Sequence, residues 1–230
     1  MFIGHYGVSL AAKRYSPRVP LWALFLAVQL LDLLFAVFVL TGIEKMRIIP
    51  GFTAYNPYDL YSMPYSHSLV GALAWSAFVG IGCLLVARRL PRGPRIAAAA
   101  VLGAAVFSHF LLDVPMHTPD LPLATGAGSP KIGLGLWNHR SAAIAAELAV
   151  LTAGGLAYLR ASRPASRGFT VATVLFAVAL IALTLATPFM RDPPSINAFA
   201  VQALVSYLTL AFLAGLVGRG RHAHETRRRP

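Results

Sequence analysis

The chain has 230 residues, of which 57% are hydrophobic and only 12% are charged. A soluble domain carries about twice that charged fraction, so this composition excludes a soluble globular protein and predicts a chain that lies in a lipid bilayer. The formal net charge of +12 would suit a nucleic-acid partner, but Lys and Arg in membrane proteins first report orientation. The one cysteine, Cys83, lies in an apolar run and cannot form an intrachain disulfide.

Six apolar runs are each long enough to cross the hydrocarbon core of a membrane. They cover residues 20–43, 68–87, 96–114, 141–159, 168–190 and 196–218. No run alternates with the two-residue period of a barrel strand, and a chain in lipid must satisfy its backbone polar groups internally. The sequence therefore predicts an all-α polytopic membrane protein. Its six transmembrane helices form a single domain over 1–218, followed by a basic cytoplasmic tail over 219–230.

Basic residues are concentrated on one side of this predicted bundle. Fifteen of the 20 Lys and Arg residues fall in the N-terminal segment, the second and fourth connections and the tail. The positive-inside rule then puts both termini in the cytoplasm and makes the chain a multi-pass protein of the cytoplasmic (inner) membrane. Because orientation accounts for these residues, no nucleic-acid partner is expected.

The first twelve residues are too few to span a membrane, yet they are apolar apart from His5 and are followed by Lys13 and Arg14. Twelve helical residues cover about 18 Å. Two placements are consistent with this pattern. A re-entrant half-helix would carry His5 toward Asp32 at mid-depth, whereas an amphipathic interfacial helix would leave His5 at the surface.

Acidic residues and histidines gather on the opposite, outer side of the bundle. Asp32, Asp113 and Glu147 fall inside or at the edge of predicted spans. An ionisable side chain costs at least ~2.5–3.5 kcal/mol at the centre of such a helix, and it is functional by default. A second His-containing pair, Ser66-His67, opens the second span. Glu147 follows His139 by two helical turns, so it could line the same cavity from a deeper level.

The segment from His109 to Asp120 carries the strongest signal. His109 and Asp113 are four residues apart, so their side chains share one helix face and can bind one ion together. Pro115 is expected to end the helix, and His117 and Asp120 then fold back over the same point. Hydrogen-bonded packing histidines are the structural alternative, but the combination favours a metal site.

The order of these motifs resembles that of the YdjM-like, DUF457-type inner-membrane proteins, which are generally described as metal-dependent hydrolases. The resemblance covers roughly residues 1–150 and rests on short motifs. These motifs are Gly4-His5, Asp32, Pro64-Tyr65-Ser66-His67-Ser68-Leu69 and Ser108-His109-Phe110-Leu111-Leu112-Asp113. The succession of His, Asp and Glu is also similar to the ligand order of the zinc-dependent phospholipase C and P1 nuclease group, helical enzymes with a three-zinc phosphodiesterase site.

This resemblance implies a divalent metal cofactor, zinc first, with one to three ions. The implied ligands are His5, Asp32, His67, His109, Asp113, His117 and Glu147. The soluble enzymes use a His-x3-Glu pair, whereas Ala143 stands four residues before Glu147 here. That departure favours one or two ions over three.

Imidazole and carboxylate ligands suit zinc, with manganese or iron as alternatives. A metal with an open coordination position lowers the pKa of bound water toward ~7 and so supplies a nucleophile. Glu44 or Asp120 would act as the base or would orient a histidine. Arg140, beside His139 at the outer face, would hold a phosphate. The family resemblance and the location of these residues imply a phosphoesterase whose substrate is a lipid or lipid-linked phosphate, reached from the outer leaflet.

Two other functions stay open at this point. An ion or small-solute transporter (permease) would use Asp32, Glu147 and the histidines as its pathway. A membrane scaffold with a structural metal would bind the ion without cleaving an ester. The fifth and sixth spans offer no convincing ligand, and their aromatic residues, Phe189, Phe199 and Tyr207, are expected to serve packing or the membrane interface.

Overall fold

The computed structural model describes residues 1–223, and the remainder of the predicted basic tail lies outside the described residues. Within this range the chain is built from eight α-helices joined by short strands and loops. The helices are α1 (His5–Ala12), α2 (Leu21–Val28), α3 (Leu30–Leu40), α4 (Leu69–Val86), α5 (Arg92–Met116), α6 (Arg140–Ala161), α7 (Arg167–Ala186) and α8 (Ile196–Arg219).

Five of these helices, α4 to α8, are long and apolar enough to cross a membrane. Large apolar side chains such as Phe78, Val174 and Leu175 are exposed on them, as expected for surfaces that face lipid. The prediction of a helical multi-pass membrane protein is therefore confirmed. A sixth crossing exists only if α2 and α3 are counted as one span, since a bend of 56° separates them.

The bend between α2 and α3 falls at Gln29, where the sequence predicts one continuous helix over 20–43. Gln29 has φ −98° and ψ 8°, outside the regular helical geometry of its neighbours. Neither Pro nor Gly marks the position, so the sequence has no breaker signal there. Both halves pack against α8, and α2 also packs extensively against α5 and α1.

Helix α1 lies inside the bundle, against α6, α2 and α5. His5 is fully buried, so it does not lie on the protein surface. The approach to α6 depends on glycine: a Cβ at Gly7 would overlap the Val150 carbonyl, and one at Gly154 would overlap the backbone of Gly7. The hydroxyl of Ser9 also donates to the Leu24 carbonyl at 2.9 Å. These contacts fix α1 tightly enough to position a ligand.

Three short two-stranded antiparallel sheets complete the described part of the chain. They pair β1 (Lys45–Ile48) with β2 (Tyr58–Ser62), β3 (Leu121–Pro122) with β4 (Lys131–Ile132), and β5 (Ser162–Pro164) with β6 (Arg221–Ala223). The third pairing ties the first residues after α8 to the connection between α6 and α7. The predicted tail therefore begins as a strand.

The expectation that Pro115 ends its helix is wrong by one residue. Helix α5 includes Pro115 and ends at Met116, and His117 leaves it with an extended backbone. The amide of His117 still donates to the Asp113 carbonyl at 2.9 Å. His117 therefore starts the loop directly above Asp113.

Two apolar cores fill the bundle. The first includes Leu31, Phe35 and Phe110. The second includes Ile3, Tyr6, Phe25 and Val28 and surrounds α1 and α2. Residues of both cores flank the buried acids and histidines along their helices, so the polar cluster lies at the junction of the two cores.

Candidate metal centre

Asp113 lies at the centre of a buried cluster of histidines. Its Oδ2 lies 3.1 Å from Nε2 of His109, 3.6 Å from Nε2 of His117 and 3.8 Å from Nε2 of His67. These three side chains come from α5, from the loop after it and from the segment before α4. None of the four is more than 3% exposed. Three imidazole nitrogens thus converge on one carboxylate oxygen away from bulk water.

A second carboxylate, Asp32 of α3, faces the same point. Its Oδ1 lies 3.3 Å from Nε2 of His67 and 3.5 Å from Nε2 of His109. Its Oδ2 accepts hydrogen bonds from the Tyr207 hydroxyl at 3.0 Å and from Gln29 Nε2 at 3.4 Å. The expectation that Tyr207 only packs is incomplete, because it orients Asp32. The available signal was its burial in an apolar span, where a tyrosine hydroxyl needs an acceptor.

The ring orientation of His109 is fixed by a backbone carbonyl. Nδ1 of His109 lies 2.7 Å from the carbonyl oxygen of Val28, the last residue of α2. A carbonyl only accepts, so Nδ1 carries a proton, and in the neutral ring Nε2 presents a lone pair. Among the described residues, Nε2 of His109 is buried and has no hydrogen-bond partner.

Two carboxylates predicted as base or orienter fix the other two rings. Nδ1 of His117 donates to Oδ1 of Asp120 at 2.8 Å. Nδ1 of His67 lies 2.8 Å from the Ser66 hydroxyl, which donates in turn to Glu44. Because the Ser66 proton goes to Glu44, its oxygen accepts from His67. Both rings therefore also present Nε2 lone pairs to the cluster.

With the three histidines neutral, the result is a set of lone pairs and carboxylate oxygens that face one another. Such groups repel unless a cation lies between them. Four ligands bound at about 2.0–2.1 Å around a tetrahedral metal lie about 3.3 Å apart. The contacts of Asp32 and Asp113 with the three histidines range from 3.1 to 3.8 Å. The donor set and its spacing therefore fit a divalent metal.

The other oxygen of Asp113 faces the N-terminal segment. Oδ1 lies 2.6 Å from the amino group of Met1 and 3.2 Å from Nε2 of His5. The His5 ring stacks on His109, with centroids 3.9 Å apart and an interplanar angle of 9°. His5, His109 and Asp113 also form a group whose ligand atoms lie within 4.8 Å of one another. The structure thus brings His5 beside His109, to the other oxygen of the same carboxylate.

Glu147 of α6 is differently engaged. Its carboxylate accepts from the amides of Phe2 at 3.1 Å and Gly4 at 2.9 Å, and from the Tyr55 hydroxyl at 2.9 Å. Burial and the nearby Glu147 charge raise the pKa of Tyr55, which keeps that hydroxyl protonated as a donor. Glu147 therefore anchors the segment that carries His5. Its predicted role as a metal ligand stays a prediction.

The predicted substrate-binding pair lies at the outer edge. His139 is exposed just before α6. Nε of Arg140 donates to the Ala54 carbonyl at 2.6 Å, and the guanidinium lies 5.1 Å above the Phe189 ring. Arg140 also lines a cavity of about 620 Å³ that reaches Asp32 and the two loop histidines. His139 is not part of that lining.

Comparison of the chain with protein-family models, with curated proteins and with solved structures yields no match. The fold and the site therefore define its class: a multi-pass membrane protein with a buried cluster of His and Asp side chains that could hold a metal ion.

Proposed function

We propose that the protein is a membrane-embedded metal-dependent hydrolase, a phosphoesterase that acts on a lipid or lipid-linked phosphate. One observation carries the proposal. The Nδ1 atoms of His67, His109 and His117 are all committed to protein oxygens, so their Nε2 lone pairs meet Asp32 and Asp113. Neutral histidines held in this way turn their Nε2 lone pairs toward the two carboxylates, an arrangement that a metal ion between them would satisfy.

The donor set of imidazoles and carboxylates suits zinc first, with manganese or iron as alternatives. When bound, such an ion activates water and polarises a phosphoryl oxygen. Asp113 supports the proposal of up to two ions, since its two oxygens face different partners: His67, His109 and His117 on one side and His5 on the other.

The surrounding residues have distinct parts in this proposal. Glu44 and Asp120 act on the rings of His67 and His117, because their carboxylates accept from the Ser66 hydroxyl and from His117 Nδ1. Holding each histidine in one tautomer raises its basicity as a metal ligand and fixes the orientation of its ring. Arg140, at the rim of the cavity, attracts the phosphate.

The distribution of basic residues supports the orientation of the site. We infer that both termini lie in the cytoplasm and that the metal cluster lies toward the outer leaflet. The substrate would then reach the cavity from that leaflet.

Packing next to the cluster favours hydrolysis over transport. A transport pathway needs polar groups that continue from the site to the far side of the membrane. On the side of α1 and α2, the site borders a closed apolar core that includes Ile3, Tyr6, Leu24 and Phe25, none of which is more than 2% exposed. The deep end of the cavity is likewise apolar, since Phe176, Leu210 and Leu213 line it, and it does not supply the polar groups that a transport pathway needs.

Elemental analysis and a phosphatase assay on the detergent-purified protein test the proposal. We expect stoichiometric divalent metal and metal-dependent hydrolysis of p-nitrophenyl phosphate or of phosphatidic acid. Asp113→Asn should lose both. Asp59→Asn is the matched control, because that acid pairs with Arg47 on the β1–β2 hairpin at 3.0 Å, and it should keep both.

A protein that takes up no divalent metal would overturn the proposal. Metal binding without cleavage of either ester would leave the scaffold reading in its place. Uptake of a labelled ion into proteoliposomes that is abolished by Asp32→Asn would favour a transporter.

A further inference from the structure

The cavity that reaches the buried cluster of His and Asp side chains continues far beyond that cluster. Asp32, His67 and His117 line one end, and side chains of α7 and α8 line the rest. Its volume of about 620 Å³ lies within the ~300–1,000 Å³ range of small-molecule sites. The cluster occupies only one end, so the remaining space has no role in metal binding.

The extension is a groove between two membrane-spanning helices. The lining on α8 runs from Phe199 to Leu213, which is about 21 Å of helix. On α7 it is formed by Phe176, Ala179 and Leu183, which share one helix face by their spacing. The groove therefore runs along the helices and not across them.

The groove opens sideways to the membrane. Ala179 of α7 and Val205 and Leu213 of α8 line the cavity and are also exposed on the protein surface. These residues lie within helices long enough to span the bilayer, so the opening faces lipid chains and not water. A ligand of this groove would enter from the bilayer.

The outer end of the cavity has the opposite character. Arg140 and Arg191 line it, together with one acid, Asp192. Arginine binds phosphate through a planar fork of donors. Between the two ends, Gln202 and Ser206 of α8 add polar atoms to the lining.

We propose that the groove between α7 and α8 binds the hydrocarbon chain of a phosphate-bearing membrane lipid, whose head lies between the arginines and the metal cluster. Cleavage of that lipid rests on the function proposed above, but binding of its chain does not. The fifth and sixth spans are then the part of the protein that selects the substrate.

Photolabelling tests chain binding without any reaction. The probe is phosphatidic acid with a diazirine near the end of one acyl chain, added to the purified protein in detergent. Ala179→Trp fills the groove, whereas Ala177→Trp adds the same ring at an exposed position of α7 outside the cavity lining. We expect labelled peptides from α7 and α8, with labelling reduced roughly tenfold in Ala179→Trp and unchanged in Ala177→Trp.

Hydrolysis supplies a second readout. Ala179→Trp should reduce turnover of long-chain phosphatidic acid and leave metal content and p-nitrophenyl phosphate hydrolysis unchanged. Equal labelling of the two variants would overturn the proposal that the groove binds the chain. An equal loss of phosphatidic acid and p-nitrophenyl phosphate hydrolysis in Ala179→Trp would overturn it as well. If the wild-type protein cleaves neither ester, the hydrolase proposal fails, while the labelling pattern still decides whether the chain binds between α7 and α8.

Discussion

Nδ1 of His109 donates a hydrogen bond to the carbonyl oxygen of Val28 across 2.7 Å. The last carbonyls of an α-helix have no partner within that helix, and the bend at Gln29 makes Val28 such a helix end. The bend therefore supplies the acceptor that selects the His109 tautomer. In a straight helix over 20–43, this carbonyl would accept a hydrogen bond from an amide of the same helix.

The residues that orient the histidines should tune metal affinity. Asp120→Asn and Glu44→Gln keep the shape of each side chain but remove the charge that supports His117 and, through Ser66, His67. Loss of such outer partners lowers metal affinity roughly 10–100-fold. Competition with a fluorescent chelator measures the change. An affinity equal to that of the wild type in both variants would rule out the orienting role.

Tyr207→Phe tests the hydrogen bond that holds Asp32. Its hydroxyl donates to Oδ2 of Asp32 at 3.0 Å, and a buried acceptor that loses its donor costs about 1–3 kcal/mol. We expect weaker metal binding and a lower thermal midpoint in the metal-free protein. Tyr61→Phe is the control, because Tyr61 is exposed and its ring, which the Arg47 guanidinium covers, is kept in the variant.

The crossing of α1 and α6 gives a matched pair of glycines. Gly154→Ala brings a methyl group onto the backbone of Gly7, and overpacking of this kind costs about 1–3 kcal/mol. Gly155 has open space where its Cβ would be, so Gly155→Ala gains helix propensity of about 1 kcal/mol at most. Thermal unfolding should therefore show a loss for the first variant and none for the second. The opposite order would contradict the packing of α1.

The contacts of Glu147 with the amides of Phe2 and Gly4 predict that it holds the N-terminal segment in place. Tyr55→Phe removes only a hydroxyl, one of the three donors to Glu147, and keeps the ring that stacks on Trp137. It should lower stability by about 1–3 kcal/mol and leave the number of bound ions unchanged. Loss of an ion from Tyr55→Phe, with stability unchanged, would instead make Glu147 a ligand. Elemental analysis and thermal unfolding on the same sample distinguish these results.

Removal of metal should destabilise the fold. A ligand that binds only the folded state, present at 100 times its Kd, stabilises by about 2.7 kcal/mol. We expect treatment with a strong chelator to lower the thermal midpoint and added zinc to restore it. Asp113→Asn should show no response to either addition.

The sequence predicts the helices well because spans are set by long apolar runs, as in α4 and α8. It also singles out His109 and Asp113, whose spacing of one helical turn is a local property. The bend at Gln29 is different: no Pro or Gly marks it, and the helices that pack against α2 and α3, α8 above all, come from distant parts of the chain. Tyr207 was missed for a similar reason, since its partner Asp32 is 175 residues away in the chain.

The hydrogen bonds of Glu147 to the backbone of Phe2 and Gly4 also bear on the order of assembly. Residues almost 150 positions apart must meet before His5 is fixed, and the glycine contact of α1 requires α6 as well. A chain emerging from the ribosome presents its N-terminal segment long before α6 is made. The candidate metal site therefore closes late in biogenesis, and a truncated chain that stops before α6 lacks the Glu147 contacts that hold the segment carrying His5.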